Sequence, residues 1–220
     1  MMIFFHGLRN YLQGLLYLLL LTVLFSDLKA QSGQFVICTD WSCVAKASKP
    51  VFLNLRKGLA KAGTPDPALY PNIIGIDLSR NKLSRLPDWV CECPSLRILD
   101  VSRNRLAQLP DCLGNLTSLH LFVGNRNPLA SLPVSMAGLD SLETLDLWQT
   151  WIDTFEPAFA HWQGRLKVLD LRDIRMSVEQ QQAITTLFRG SEIRMSSPCN
   201  CRPHLPRVNG SSREEQEAQD

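Results

Sequence analysis

Arg80, Arg103 and Arg126 recur at a fixed interval of 23 residues (103 − 80 and 126 − 103). Asp77 and Asp100 keep the same interval, and Asp146 stands two intervals further on. Guanidinium groups held in register present paired N–H forks that match carboxylates in geometry and charge. That regularity points toward recognition of another molecule. The groups that would carry catalysis are sparse: His6, His120, His161 and His204 are scattered along the chain. There is no H-E-x-x-H, no G-x-S-x-G and no glycine-rich phosphate loop. Cys199-x-Cys201-x-x-His204 and Cys91-x-Cys93 are close-spaced metal-ligand types, yet neither has the C-x-x-C pairing of a zinc site. No enzymatic activity, metal or cofactor is therefore expected. A formal net charge of +2 gives no general pull toward nucleic acid or an anionic membrane.

The N-terminal segment bears on where such chemistry would operate. Tyr11 to Phe25 (YLQGLLYLLLLTVLF) is uncharged and apolar, with Arg9 upstream. Its 15 positions would span roughly 22 Å as a helix, short of a hydrocarbon core of ~30 Å. Ala30 permits cleavage before Gln31, although Leu28 is larger than a strict A-x-A site would have. Residues 1–30 read as a signal peptide and not as an uncleaved anchor. The mature chain is then secreted, periplasmic or at the cell surface, with no membrane span. Disulfides persist in such compartments, and seven cysteines leave at least one unpaired. Cys38 and Cys43 flank a short helix start. A bridge within Cys199-Asn200-Cys201 would be strained, so at least one partner there is expected from elsewhere.

The arginine interval is also the period of the whole middle of the chain. Ile73-IGIDLSRNKLSRLPDWVCECPS is followed by Leu96-RILDVSRNRLAQLPDCLGNLTS and Leu119-HLFVGNRNPLASLPVSMAGLDS. Leu142-ETLDLWQTWIDTFEPAFAHWQGR continues the series, and Leu166-KVLDLRDIRM opens a fifth unit. This resembles the leucine-rich-repeat family in the form L-x-x-L-x-L-x-x-N-x-L-x-x-L-P, over residues 73 to 176 without a gap. In the first unit Ile73, Ile76 and Leu78 take the core side of a short strand. Leu83 and Leu86 turn the chain back, and Val90 and Cys93 point inward. Six or so such side chains contribute on the order of 2 kcal/mol each, against roughly 1.5 kcal/mol for ordering each residue of the unit. One unit cannot fold alone, so neighbours must stack.

Asn81, Asn104 and Asn127 share a column where an amide can satisfy backbone groups at the buried turn. Thr150 replaces the amide in part and Ile174 not at all, as if the array were ending. Pro87, Pro110 and Pro133 start the convex segments, on which Cys91 and Cys112 are adjacent and able to bridge. Upstream, Pro50-VFLNLRKG reads as a degenerate first strand, with Leu53 and Leu55 in phase and a helix beginning near Asp40. Downstream, Ser177 and Gln180 form a capping box for a helix with the apolar stripe Ala183, Ile184, Leu187 and Phe188. Gly190 stops that helix, and Ile193 and Met195 give a last strand. The expected fold is an α/β solenoid: an arc of about seven short parallel strands, short helical or irregular convex segments and a C-terminal capping helix. Its divisions are a signal peptide (1–30), an N-terminal cap with a degenerate repeat (31–72), the repeats (73–176), a C-terminal cap (177–201) and a disordered tail (202–220).

The resemblance implies that strand side chains between the core leucines line a concave face used for ligands. One column there holds Asn54, Asp77, Asp100, Val123, Asp146 and Asp170. A second holds Lys57, Arg80, Arg103, Arg126, Gln149 and Asp173. The Asp column can equally serve neighbouring polar groups, and the Arg column can be neutralised by nearby Asp residues. Trp148 is the aromatic anchor that the face offers, whereas Trp151 is placed to fill the turn beside the missing Asn. Phe122 is expected to fill core space that Gly124 leaves. The expected function is protein binding through Asp77, Arg80, Asp100, Arg103, Arg126, Asp146 and Trp148, with no nucleic acid. An adhesin or glycan-binding role through Trp148 is the alternative.

Overall fold

A computed structural model describes residues 35–63 and 65–199. The signal-peptide and tail readings therefore lie outside the described residues, as does Cys201. Eight parallel strands form one open sheet in strict chain order. They are β1 (Val36–Cys38), β2 (Val51–Asn54), β3 (Ile73–Asp77), β4 (Ile98–Asp100), β5 (Leu121–Val123), β6 (Thr144–Asp146), β7 (Val168–Leu171) and β8 (Glu192–Met195). Two helices flank the array, α1 (Trp41–Lys46) and α2 (Val178–Leu187). The strand beyond the expected seven is β1, which pairs in register with Val51, Phe52 and Leu53. Three residues outside the repeat carry too little alternation to be read as a strand from sequence.

The register follows from the period. Ile76 pairs with Leu99, Leu99 with Phe122, Phe122 with Leu145 and Leu145 with Leu169. Each is fully buried, so one strand position per repeat builds a continuous apolar wall. Gly124 leaves room in that wall: a Cβ there would lie 2.7 Å from the Phe122 ring, which fills the space. Cys93 is buried with a free thiol, and burial pushes its pKa up to about 12, as suits a small core hydrophobe.

The strands are short because an asparagine ladder turns the chain. The Asn104 amide donates to the Val101 carbonyl (2.8 Å) and to Leu78 of the preceding repeat (3.0 Å). Its oxygen accepts from the Asn81 and Leu83 N–H groups. Asn81 and Asn127 repeat the arrangement. Thr150 keeps its own-repeat bond, Oγ1 donating to Leu147 at 2.7 Å, and Ile174 is simply buried. On the convex side Pro87, Pro110 and Pro133 each precede a 3-10 turn with φ between −61° and −75°. The ring presets that φ. A Cys91–Cys112 disulfide ties two of these turns together, Cys38–Cys43 joins β1 to α1, and Cys199 is also disulfide-bonded.

Both ends are sealed. Asp40 caps α1 by accepting from Cys43 N–H, and Trp41, Tyr70 and Trp89 pack with ring centroids 5.1–6.2 Å apart. At the other end the capping box is present, with Ser177 Oγ accepting from Gln180 N–H and Gln180 Oε1 from Ser177 N–H. Ile184 and Phe188 are buried, and Leu187 is half-buried. Ala183 is exposed, so the stripe on α2 is narrower than expected, because the helix lays one edge on the solenoid end. Gly190 takes φ +93°, the left-handed turn expected after a helix. Among the described residues no helix is long and apolar enough to cross a membrane.

Candidate binding face

Side chains alternate across a strand, so the residues on either side of each core position point away from the core. Through the strand register these fall into two columns. One runs Phe52, Gly75, Ile98, Leu121, Thr144 and Val168; the other runs Asn54, Asp77, Asp100, Val123, Asp146 and Asp170. The sequence reading omitted the first column, although alternation from the core leucines was enough to find it. Ile98, Leu121 and Val123 form a small apolar cluster with Phe52, separate from the main core. Gly75 belongs with them, because the Phe52 ring occupies the place of its missing side chain.

The aspartates have a structural task. Asp77 accepts from Ser79 N–H and Asp100 from Ser102 N–H, each at 2.8 Å, and Asp146 accepts from Trp148 N–H at 3.3 Å. Asp170 and Asn54 make the same bond two residues on. Each closes the Asx turn that ends its strand. Asp146 also accepts from the Asn125 amide at 2.7 Å, yet burial and the nearby Asp170 raise its pKa to about 7. Asp170 is ion-paired with Arg172, Nη2 to Oδ2 at 2.5 Å.

The turn then places the second column in an uncommon backbone state. Lys57, Arg80, Arg103, Arg126, Gln149 and Asp173 all have φ between 56° and 61°. This left-handed region disfavours a Cβ and suits glycine or asparagine. The asparagine ladder enforces it, because an amide such as that of Asn81 bonds carbonyls two and three residues back and must close a tight loop. The column changes character along the array: four cations, then neutral Gln149, then Asp173. Among the described residues no carboxylate lies within ion-pair distance of Arg80, Arg103 or Arg126, whereas Arg165, Lys167, Arg172 and Arg194 each have one. The Nε atoms of Arg80 and Arg126 are buried without a hydrogen-bond partner. Partial burial, with Arg126, Arg80 and Arg56 close by, lowers the Arg103 pKa to about 10, so it stays charged at neutral pH. Arg56, which the sequence reading passed over, thus joins the cluster; it is the chain neighbour of Lys57 and lies outside the column itself.

Trp148 is half-buried next to this column, and the Arg126 guanidinium lies 4.2 Å from its ring centroid. The contact is a cation–π pair that fixes the plane of the guanidinium. Trp151 is 59% exposed and does not fill the turn. Thr150, buried and bonded to the Leu147 carbonyl, occupies the turn instead. Of the seven predicted residues, the structure therefore brings Arg80, Arg103, Arg126 and Trp148 together as one strip. Asp77, Asp100 and Asp146 lie beside it, bonded to their own turns.

Residues 95–116 match the family model described as Leucine Rich Repeat. No curated protein matches the chain in sequence. Among solved structures, a leucine-rich-repeat protein of Leptospira interrogans superposes with a TM-score of 0.55 at 23% identity. It covers 65% of this chain and 34% of its own. Internalin C2 of Listeria monocytogenes gives 0.53 at 17% identity, covering 72% and 66% respectively. The TLR13–ssRNA13 complex gives 0.50 at 19% identity, covering 69% and 25%. The chain thus spans between a quarter and two thirds of these structures. Motif match, asparagine ladder and open parallel sheet define the fold as a leucine-rich-repeat solenoid.

Proposed function

We propose that the protein is an extracytoplasmic recognition module that holds a protein partner on the concave strand face. Residues 1–30 act as its export signal, and Arg80, Arg103, Arg126 and Trp148 are the main contacts. Asp77, Asp100 and Asp146 border the contact and shape it through their turns. The observation that carries this reading is the run of in-register cations that have no carboxylate within ion-pair distance among the described residues, beside a half-buried tryptophan. Groups of this kind are enriched at the energetic centres of interfaces. The Cys38–Cys43 and Cys91–Cys112 disulfides support an oxidising compartment. One similar structure is titled as an RNA complex; here the aspartate column beside the arginines disfavours a continuous phosphate backbone.

The test is affinity capture of surface or medium components by the mature protein, with Arg103→Ala/Arg126→Ala and Trp148→Ala compared. A single protein should be retained by wild type and lost with both variants. Retention by both would refute the strand-face reading, and glycan binding lost on Trp148→Ala would replace the protein partner with a sugar.

A further inference from the structure

We propose that the arginine ladder is a docking site for an acidic polypeptide segment laid across the strands, its carboxylates seated one per repeat. This inference rests on the strand-face reading above and names the chemistry of the partner. Arg80, Arg103 and Arg126 come from three consecutive repeats, and Arg56 and Lys57 extend the cationic run into the repeat before them, three strand steps in all. At ~4.8 Å per step the ladder is about 14 Å long, the reach of about four or five residues of extended chain. Such a segment offers a carboxylate within range of every rung.

Three features of the ladder call for carboxylates. Its guanidinium groups repel one another and none has a carboxylate within ion-pair distance among the described residues. Asp100 near Arg103 and Asp173 near Arg126 offset the repulsion only in part, whereas Arg172 is paired with Asp170. The Nε atoms of Arg80 and Arg126 are buried and unbonded, which leaves the Nη ends of these partly exposed side chains as the groups a carboxylate would meet. The three arginines also sit in left-handed backbone, where asparagine or glycine would remove strain, so the positions keep their long cations at a conformational cost. The ladder has a defined end as well: Gln149 and Asp173 follow Arg126 in the column, so an acidic run must stop there.

A polypeptide fits better than a uniformly charged polymer. The column beside the ladder carries Asp77, Asp100 and Asp146. A sugar–phosphate or sulfated backbone would bring anions against those carboxylates. A peptide carries its charge at the side-chain tips and turns neutral N–H groups toward the acids. Trp148 is engaged by Arg126, which braces the last rung of the ladder.

The experiment titrates a fluorescein-labelled hepta-glutamate peptide into the intact, disulfide-bonded protein. Hepta-lysine, a seven-nucleotide oligo-uridylate and a heparin hexasaccharide are run in parallel. Saturable binding of the glutamate peptide is expected, weakening about tenfold or more between 50 and 200 mM salt, as surface charge pairing requires. The triple variant Arg80→Gln/Arg103→Gln/Arg126→Gln should bind about 30-fold or more weakly, since each lost fork costs one charged contact. Gln149 already occupies this column, so glutamine is tolerated there, and a melting curve confirms folding. The triple lysine variant keeps the charge and loses the fork geometry, and should fall between. Absence of saturable glutamate binding, equal binding by the glutamine variant, or tighter binding of RNA or heparin would each overturn the proposal. If the captured protein is still lost on Trp148→Ala while the glutamate peptide fails to bind, the strand-face reading stands and the acidic-segment inference falls.

Discussion

Asp146 occupies a strand position where its carboxylate ends the strand and also pays electrostatically for the company of Asp170. Its raised pKa of about 7 comes from burial first and that neighbour second. Between about pH 4 and pH 7 the folded protein then holds a proton that an ordinary aspartate in the unfolded chain has released. Stability should accordingly fall as pH rises through that window. Asp146→Asn should flatten the dependence and raise the melting temperature at pH 8, with the Asn125 amide, which makes no other side-chain bond, turning over to accept. An unchanged slope between pH 5 and 8 would assign the dependence to other groups. Arg103 presents the reverse balance. Its left-handed backbone and its cationic neighbours both disfavour it. Arg103→Asn relieves a strain on the order of 1 kcal/mol, so thermal denaturation should show an increase of about 2–4 °C in a domain of this size. A decrease would mean that Arg103 supports the fold, and would weaken the case that it is kept for binding.

At the level of the repeat, each asparagine of the ladder holds two turns together, which makes the column unequal in energy. Asn104 bonds three carbonyls and two N–H groups, all internal, whereas Thr150 bonds one carbonyl. Asn104→Ala strands several buried polar groups and should lower unfolding free energy by about 3–5 kcal/mol, against about 1 kcal/mol for Thr150→Ala. Equal losses in denaturant titrations would contradict the ladder as the main turn-former. This inequality was legible in the sequence, because an amide, a hydroxyl and Ile174 stand in one 23-residue column. The core leucines, prolines and capping box were legible for the same reason: period and residue type agree. What was not legible lacked such agreement. The strand β1 is three residues outside the repeat. The left-handed arginines contradict local propensity and are held by bonds from the asparagine column. The aspartates fit a structural and a binding role equally until the 2.8 Å bonds to Ser79 and Ser102 are in view. The apolar column of Ile98 and Leu121 was present in the alternation and went uncounted.

Across the whole molecule, contacts join each repeat to its neighbours and little else, so stability is propagated along one dimension and the ends decide how it fails. The N-terminal half is held by two disulfides and the Trp41–Tyr70–Trp89 cluster. The C-terminal end depends on α2, whose Phe188 is fully buried against Phe155 and Trp162, with centroids 5.0 and 6.4 Å away. Phe188→Ala removes the side chain that closes the core there, a loss of about 3–5 kcal/mol in a site of this burial. In a one-dimensional array that loss should be local. Hydrogen exchange should accelerate in β7, α2 and β8, while β2 to β4, stapled by Cys91–Cys112 nearby, keep their protection. The arginine ladder lies on the protected side, so glutamate-peptide binding by Phe188→Ala should remain within about twofold of wild type, because coupling between distant sites is weak. Uniform loss of protection would instead show that the eight strands fold as one cooperative unit, and binding would then fall with stability.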